Sequence, residues 1–133
     1  MKLMIVDDSN IIRSRIARVC LQAPLHGLEI IGLARNGNEA VNVCVRKVPD
    51  LVTMDLTMPG MNGLECISAL LALAPNLRIL VVSALSDKAT AIEALKRGAH
   101  GFLHKPFTDA RLASALLELM DEPEANHVRS DRR

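Results

Sequence analysis

Five short apolar runs, at residues 3–6, 28–33, 51–54, 77–82 and 101–103, constrain this chain more than anything else in it. They are mostly continuous rather than alternating, the pattern of strands buried on both faces of a parallel sheet. Between them, apolar residues recur at helical spacing. Ile12, Ile16 and Val19 stand at i, i+4 and i+7, with Arg13, Arg15 and Arg18 largely facing water. Ala40, Val41, Cys44 and Val48 form a second stripe after Asn36-Gly37-Asn38. Leu64, Ile67, Leu70 and Leu71 form a third, ended by Pro75-Asn76. The fourth segment uses Ile92 and Leu95 behind a cap at Ser86 or Asp87 and stops at Gly98. The fifth opens at Thr108-Asp109 and carries Leu112, Leu116 and Leu119. Strand and helix alternate five times, which predicts an α/β fold with right-handed crossovers and helices on both faces of the sheet.

With 133 residues, half of them hydrophobic, the chain can fill one core and is too short for two ordinary domains. After Met120 the text becomes DEPEANHVRSDRR, with no apolar period and with Pro123 to break any helix. We expect a domain over 1–121 and a flexible tail over 122–133, far too short for a DNA-binding module. Lys and Arg total 16 against 15 for Asp and Glu, a balance with no electrostatic footprint for nucleic acid or an anionic membrane. Two Phe, no Tyr and no Trp leave little for stacking on bases. Cys20, Cys44 and Cys66 lack metal or CxxC spacing and read as core residues. No signal peptide or membrane-spanning run is indicated, so a cytoplasmic protein is expected. His100 and His104 flank the fifth strand as surface residues rather than ligands, and nothing pairs His26 or His127 with a metal.

The polar residues are informative for where they fall. Asp7 and Asp8 follow the first strand, Asp55 the third, Ser83 the fourth and Lys105 the fifth. All lie at carboxyl ends, which in an open parallel sheet share the edge where ligands bind. A sheet wound in the order 2-1-3-4-5 would set Asp7 and Asp8 beside Asp55, although the sequence does not itself fix the order. Three carboxylates at close range repel unless one protonates or a cation sits among them. Oxygen donors without His or Cys suit a hard divalent ion, and Mg2+ in particular shares its shell with water and phosphate. A carboxylate in such a site can attack phosphorus. Lys105 would meet the phosphoryl oxygens as a point charge, and the Ser83 hydroxyl would add a hydrogen bond. Singly, each residue has a duller role: Asp7 or Asp8 as a helix cap, Asp55 in a loop, Lys105 on the surface. Four strand ends with complementary chemistry are a different matter.

These residues, in this order, closely resemble the receiver domains of bacterial response regulators. The matching stretches are IVDDS (5–9), RNGNEA (35–40), MDLTMPGMNGLE (54–65), VVSA (81–84) and FLHKPF (102–107). The resemblance implies a (βα)5, flavodoxin-like, doubly wound sandwich with a five-stranded parallel sheet of order 2-1-3-4-5. It implies that Asp55 is the phosphoacceptor, that Asp7 and Asp8 are the acidic pair with Asp8 the direct Mg2+ ligand, and that the backbone carbonyl of Thr57 is a further ligand. Ser83 matches the hydroxyl residue of the switch, Phe102 the aromatic switch residue, and Lys105 the family's lysine, with a cis peptide before Pro106.

The implied activity is that of a signalling phosphoacceptor in a two-component phosphorelay, not an enzyme acting on a separate substrate. A sensor histidine kinase or a histidine phosphotransfer protein would supply the phosphoryl group. Its oxygens would draw Ser83 toward the site, Phe102 would turn inward, and the face of the fourth helix, fifth strand and fifth helix would change its downstream protein target. The resemblance admits a homodimer and implies no direct contact with nucleic acid or membrane. It fits a free-standing, chemotaxis-type regulator or, alternatively, the receiver portion of a larger DNA-binding or enzymatic one. Thr57 and Leu85 flank the path of attacking water, so a bulky apolar Leu85 should slow dephosphorylation. A flavodoxin-like cofactor binder would want a phosphate loop where two carboxylates stand. An Asp-nucleophile phosphohydrolase would want a second Asp at Thr57.

Overall fold

The computed structural model describes residues 1–85 and 87–121. The strands are β1 (Lys2–Val6), β2 (Glu29–Ala34), β3 (Leu51–Met54), β4 (Arg78–Ser83) and β5 (Gly101–His104). The helices are α1 (Asn10–Cys20), α2 (Gly37–Arg46), α3 (Gly63–Leu73), α4 (Lys88–Lys96) and α5 (Asp109–Met120), with a 3-10 turn at Ala23–Leu25. All pairings are parallel and the sheet order is β2-β1-β3-β4-β5, as the resemblance implied.

The sheet separates two cores, which explains why its central strands read as continuous apolar runs. Met4, Val6, Val52, Met54, Ile79 and Val81 face α2, α3 and α4, whereas Leu3, Ile5, Leu51, Leu80 and Val82 face α1 and α5. Alternation survives, but both faces are buried. Each large side chain so enclosed contributes about 1.5–3 kcal/mol. Helix starts follow local chemistry: the side chains of Ser9, Asn36, Asn62, Asp87 and Thr108 each accept a backbone N–H from the first turn of their helix. Asn62 and Glu65 complete a reciprocal capping box at α3.

Three sequence expectations need correction. Arg13 does not face water; it is 8% exposed, its guanidinium turned under the loop after β1. Val48 lies beyond the end of α2 and is exposed. Ile92 and Leu95 do not anchor α4: they are 51% and 49% exposed, and the buried residue of that helix is Ala94. Arg97, the C-cap of α4, supplies a further tether, donating to the Leu64 carbonyl at 3.1 Å and the Ser68 hydroxyl at 3.2 Å. Of the two cap candidates Asp87 serves, while Ser86 lies outside the described residues, as do the tail expected over 122–133 and His127. No helix among the described residues is long and apolar enough to cross a membrane.

Candidate functional site

At the carboxyl edge of the sheet, Asp7 continues the β1–β2 ladder by donating its N–H to Ala34, and Asp55 continues β3 by donating to the Val6 carbonyl at 2.9 Å. The β1–β2 pairing thus seats Asp7, and the β1–β3 pairing seats Asp55 beside it. Carboxylate oxygens of Asp7, Asp8 and Asp55 lie within 4.8 Å of one another. Asp7 and Asp55 are 1% and 4% exposed, while Asp8 is open to solvent. Neither Asp7 nor Asp8 caps α1; Ser9 does.

Lys105 arrives from the loop after β5, across a cis Lys105–Pro106 bond, and its own N–H donates to the Ser83 carbonyl. Its Nζ donates to Asp7 Oδ2 at 2.8 Å and stands 3.7 Å from Asp55 Oδ1. Asp55 Oδ1 also accepts the Thr57 N–H at 3.3 Å. Burial, and then the charge of Asp7, push the Asp55 carboxyl up to about 6, against the opposing pull of Lys105 and the Thr57 N–H. A carboxylate so raised gains from a cation beside it. The donor set is all oxygen, and the two buried acids are within reach of the exposed one, which fits a hard divalent ion such as Mg2+.

The other expected residues surround this centre. Ser83 is fully buried, and its Oγ accepts the Leu85 N–H at 3.1 Å. Thr57 is exposed, and Leu85 is 37% exposed. Phe102 stands on the edge strand β5, half-buried against the core beneath α2, α3 and α4. It lines a cleft of about 530 Å³ with His100, Glu118 and Asp121 that shares no residue with the carboxylate cluster. His100 is half-buried rather than a free surface group: its Nδ1 accepts the Ile79 N–H at 3.2 Å. His104 is exposed. Cys20, Cys44 and Cys66 are free and buried, and burial pushes the Cys20 and Cys66 thiols up to about 11 and 12.

Sequence reasoning passed over two residues of the site. Gly63 opens α3 against the loop of Asp55: a Cβ there would lie 2.5 Å from both the Asp55 carbonyl oxygen and Leu56 Cα. Arg13 binds the Asp7 carbonyl from beneath. Glycine at a helix start was a visible signal for the first; for the second, an Arg on an otherwise apolar face of α1 was the only one.

A doubly wound sheet with three carboxylates and a lysine at its winding reversal defines a class, and the chain belongs to it: the family of response regulator receiver domains, whose model matches residues 3–117. The chemotaxis protein CheY of Thermotoga maritima is 42% identical over 115 residues, covering 86% of this chain and 93% of that protein. A protein-glutamate methylesterase/protein-glutamine glutaminase of the same organism is 35% identical over 88% of this chain, but only over 35% of its own length. Among solved structures, the CheX-CheY-BeF3-Mg2+ complex from Borrelia burgdorferi contains a chain that superposes with a TM-score of 0.84 at 29% identity, covering 92% of this chain and 90% of that one. The chain is a receiver domain of the CheY type.

Proposed function

We propose that Asp55 accepts a phosphoryl group from a phosphohistidine of a sensor kinase or phosphotransfer protein. A carboxylate oxygen of Asp55 forms the new bond to phosphorus as the P–N bond breaks, and the departing imidazole keeps the electron pair and takes up a proton. Asp7, Asp8, Asp55 and the Thr57 carbonyl would hold Mg2+, with Asp8 the direct acidic ligand beside Asp55. When bound, the ion offsets charge on the phosphoryl oxygens. Lys105 would meet one of those oxygens and Ser83 another. The observation that carries the proposal is the convergence of three carboxylates within 4.8 Å beneath a lysine that already contacts two of them.

The chain then acts as a signalling phosphoacceptor in the cytoplasm, catalysing only its own phosphotransfer and dephosphorylation. We assign the domain to residues 1–121. Its output is a change of protein partner at the face of α4, β5 and α5, where Phe102 is half-buried and Ile92 and Leu95 are exposed. The match to a third of a methylesterase favours a second context, a receiver joined to a larger regulator. The primary test is intact mass after incubation with Mg2+ and acetyl phosphate, beside Asp55→Ala. One added phosphoryl group, dependent on Mg2+ and absent from the variant, is expected. No gain, or a gain that survives the substitution, rejects the assignment.

A further inference from the structure

Asp7 has no idle polar atom. Its N–H donates to Ala34, Oδ1 accepts the Ser9 N–H at 2.9 Å, Oδ2 accepts Lys105 at 2.8 Å, and its carbonyl accepts Arg13 Nη1 at 2.5 Å. Four elements thus hold one residue: β2, its own loop, the loop after β5, and α1. The last contact differs in kind, because the carbonyl of Asp7 belongs to the peptide that joins it to Asp8. Holding that oxygen fixes the plane of the Asp7–Asp8 peptide, and with it the position from which the exposed Asp8 side chain extends. The guanidinium is itself anchored: Arg13 is 8% exposed, and its Nη2 donates to the Asn10 side-chain oxygen.

We infer that Arg13 is a positioning residue for the divalent-cation site, setting where the Asp8 carboxylate stands through the Asp7–Asp8 peptide. The inference rests on the proposal that Asp7, Asp8 and Asp55 hold a divalent cation. Two effects of Arg13 oppose each other. Its positive charge, near an acidic cluster, weakens cation binding, whereas its fork pre-orders the loop and strengthens it. Mg2+ demands near-octahedral geometry, so a wandering ligand costs more than a like charge behind the loop. Order therefore outweighs repulsion. Asn10 completes the fork's second contact and should act in the same direction, more weakly.

The test is calorimetric titration of the full chain with MgCl2 at constant ionic strength, for the wild type, Arg13→Met, Arg13→Lys, Asn10→Ala and Asp55→Asn. Folding is checked in each by far-ultraviolet circular dichroism and urea unfolding. We expect Arg13→Met and Arg13→Lys to bind about tenfold more weakly, as outer contacts to metal sites commonly do when removed. Asn10→Ala, an exposed substitution that keeps the fold, should lose about twofold. Tighter binding by Arg13→Met with Arg13→Lys unchanged would show the charge alone at work and overturn the inference. Unchanged affinity with lowered stability would also overturn it, leaving Arg13 a packing residue. Should the Arg13 variants not fold, unchanged affinity in Asn10→Ala overturns it. A wild type that does not bind Mg2+, or an Asp55→Asn that binds equally well, instead defeats the cation assignment itself.

Discussion

Lys105 makes its short contact to Asp7, at 2.8 Å, and reaches Asp55 only at 3.7 Å. In this arrangement the buried Asp7 carboxylate has a full partner, and Asp55 shares the same charge at longer range. Lys105→Met should therefore move the titration of Asp55 above its value of about 6, since Lys105 pulls it down. Carboxyl carbon resonances followed against pH report this directly. Labelling by acetyl phosphate should slow at least about tenfold, the scale of losing one fixed charge on a reacting oxyanion.

The raised Asp55 also tilts stability with pH. Its folded value of about 6 exceeds the ordinary carboxylate value of 3.8, so between the two the folded state binds more protons than the unfolded one. Its contribution is fully present below the ordinary value and is lost as pH rises through about 6. In urea titrations with a chelator present, the wild type should lose on the order of 1–2 kcal/mol from this group across that window, after allowance for solvent screening. Asp55→Asn should lack this component and be the more stable protein near neutral pH.

Gly63→Ala tests the seat of the loop that carries Asp55. The added methyl would meet backbone on both sides, at 2.5 Å from Asp55 oxygen and Leu56 Cα, so no side chain can step aside. We expect a stability loss of about 1–3 kcal/mol in urea unfolding. Acetyl phosphate labelling should fall at temperatures where the variant is still folded.

Ser83→Ala removes the buried hydroxyl that accepts the Leu85 N–H. Phosphorylation on Asp55 should continue while its signal fails to reach β5. The chain has only two Phe, so ring resonances of Phe102 can be followed alone. Beryllofluoride with Mg2+ should shift them in the wild type and leave them in place in Ser83→Ala. An equal shift in both proteins would separate Ser83 from the switch.

Leu85 stands two residues after Ser83 and is 37% exposed. On the proposed reading an apolar side chain there would hinder attacking water, and a carboxylate would orient it. Decay of the labelled protein, followed by intact mass after removing acetyl phosphate, should be faster in Leu85→Glu. Equal decay would leave Leu85 a packing residue only.

The sequence made the sheet legible because two-sided burial produces continuous apolar runs, and the strand ends then carried Asp7, Asp8, Asp55, Ser83 and Lys105 to one edge. Capping at Thr108 and the leucines of α5 were equally plain. Periodicity misled at α4, where the small Ala94 packs inward and the larger Ile92 and Leu95 do not. Size was a poor guide there because a helix near its neighbour needs a small contact residue. Arg13 escaped because charge predicts solvent, and only tertiary structure supplies the carbonyl that draws a guanidinium inside. The saturation of Asp7 depends on four separate elements and has no signature in any one segment.

The unequal burial of α4 and α5 would set the energy scale of the proposed output. Three buried leucines on α5 amount to about 4.5–9 kcal/mol, whereas α4 commits one buried alanine and the tether at Arg97. Reversing a two-state population from 1:99 to 99:1 takes about 5.5 kcal/mol, within reach of one new charge cluster but comparable with what α5 alone would oppose. If Asp55 takes the charge proposed for it, the message would have a preferred exit, through the helix that offers it least resistance. Amide protons of 88–96 should trade with solvent well before those of 109–120, even in the resting protein.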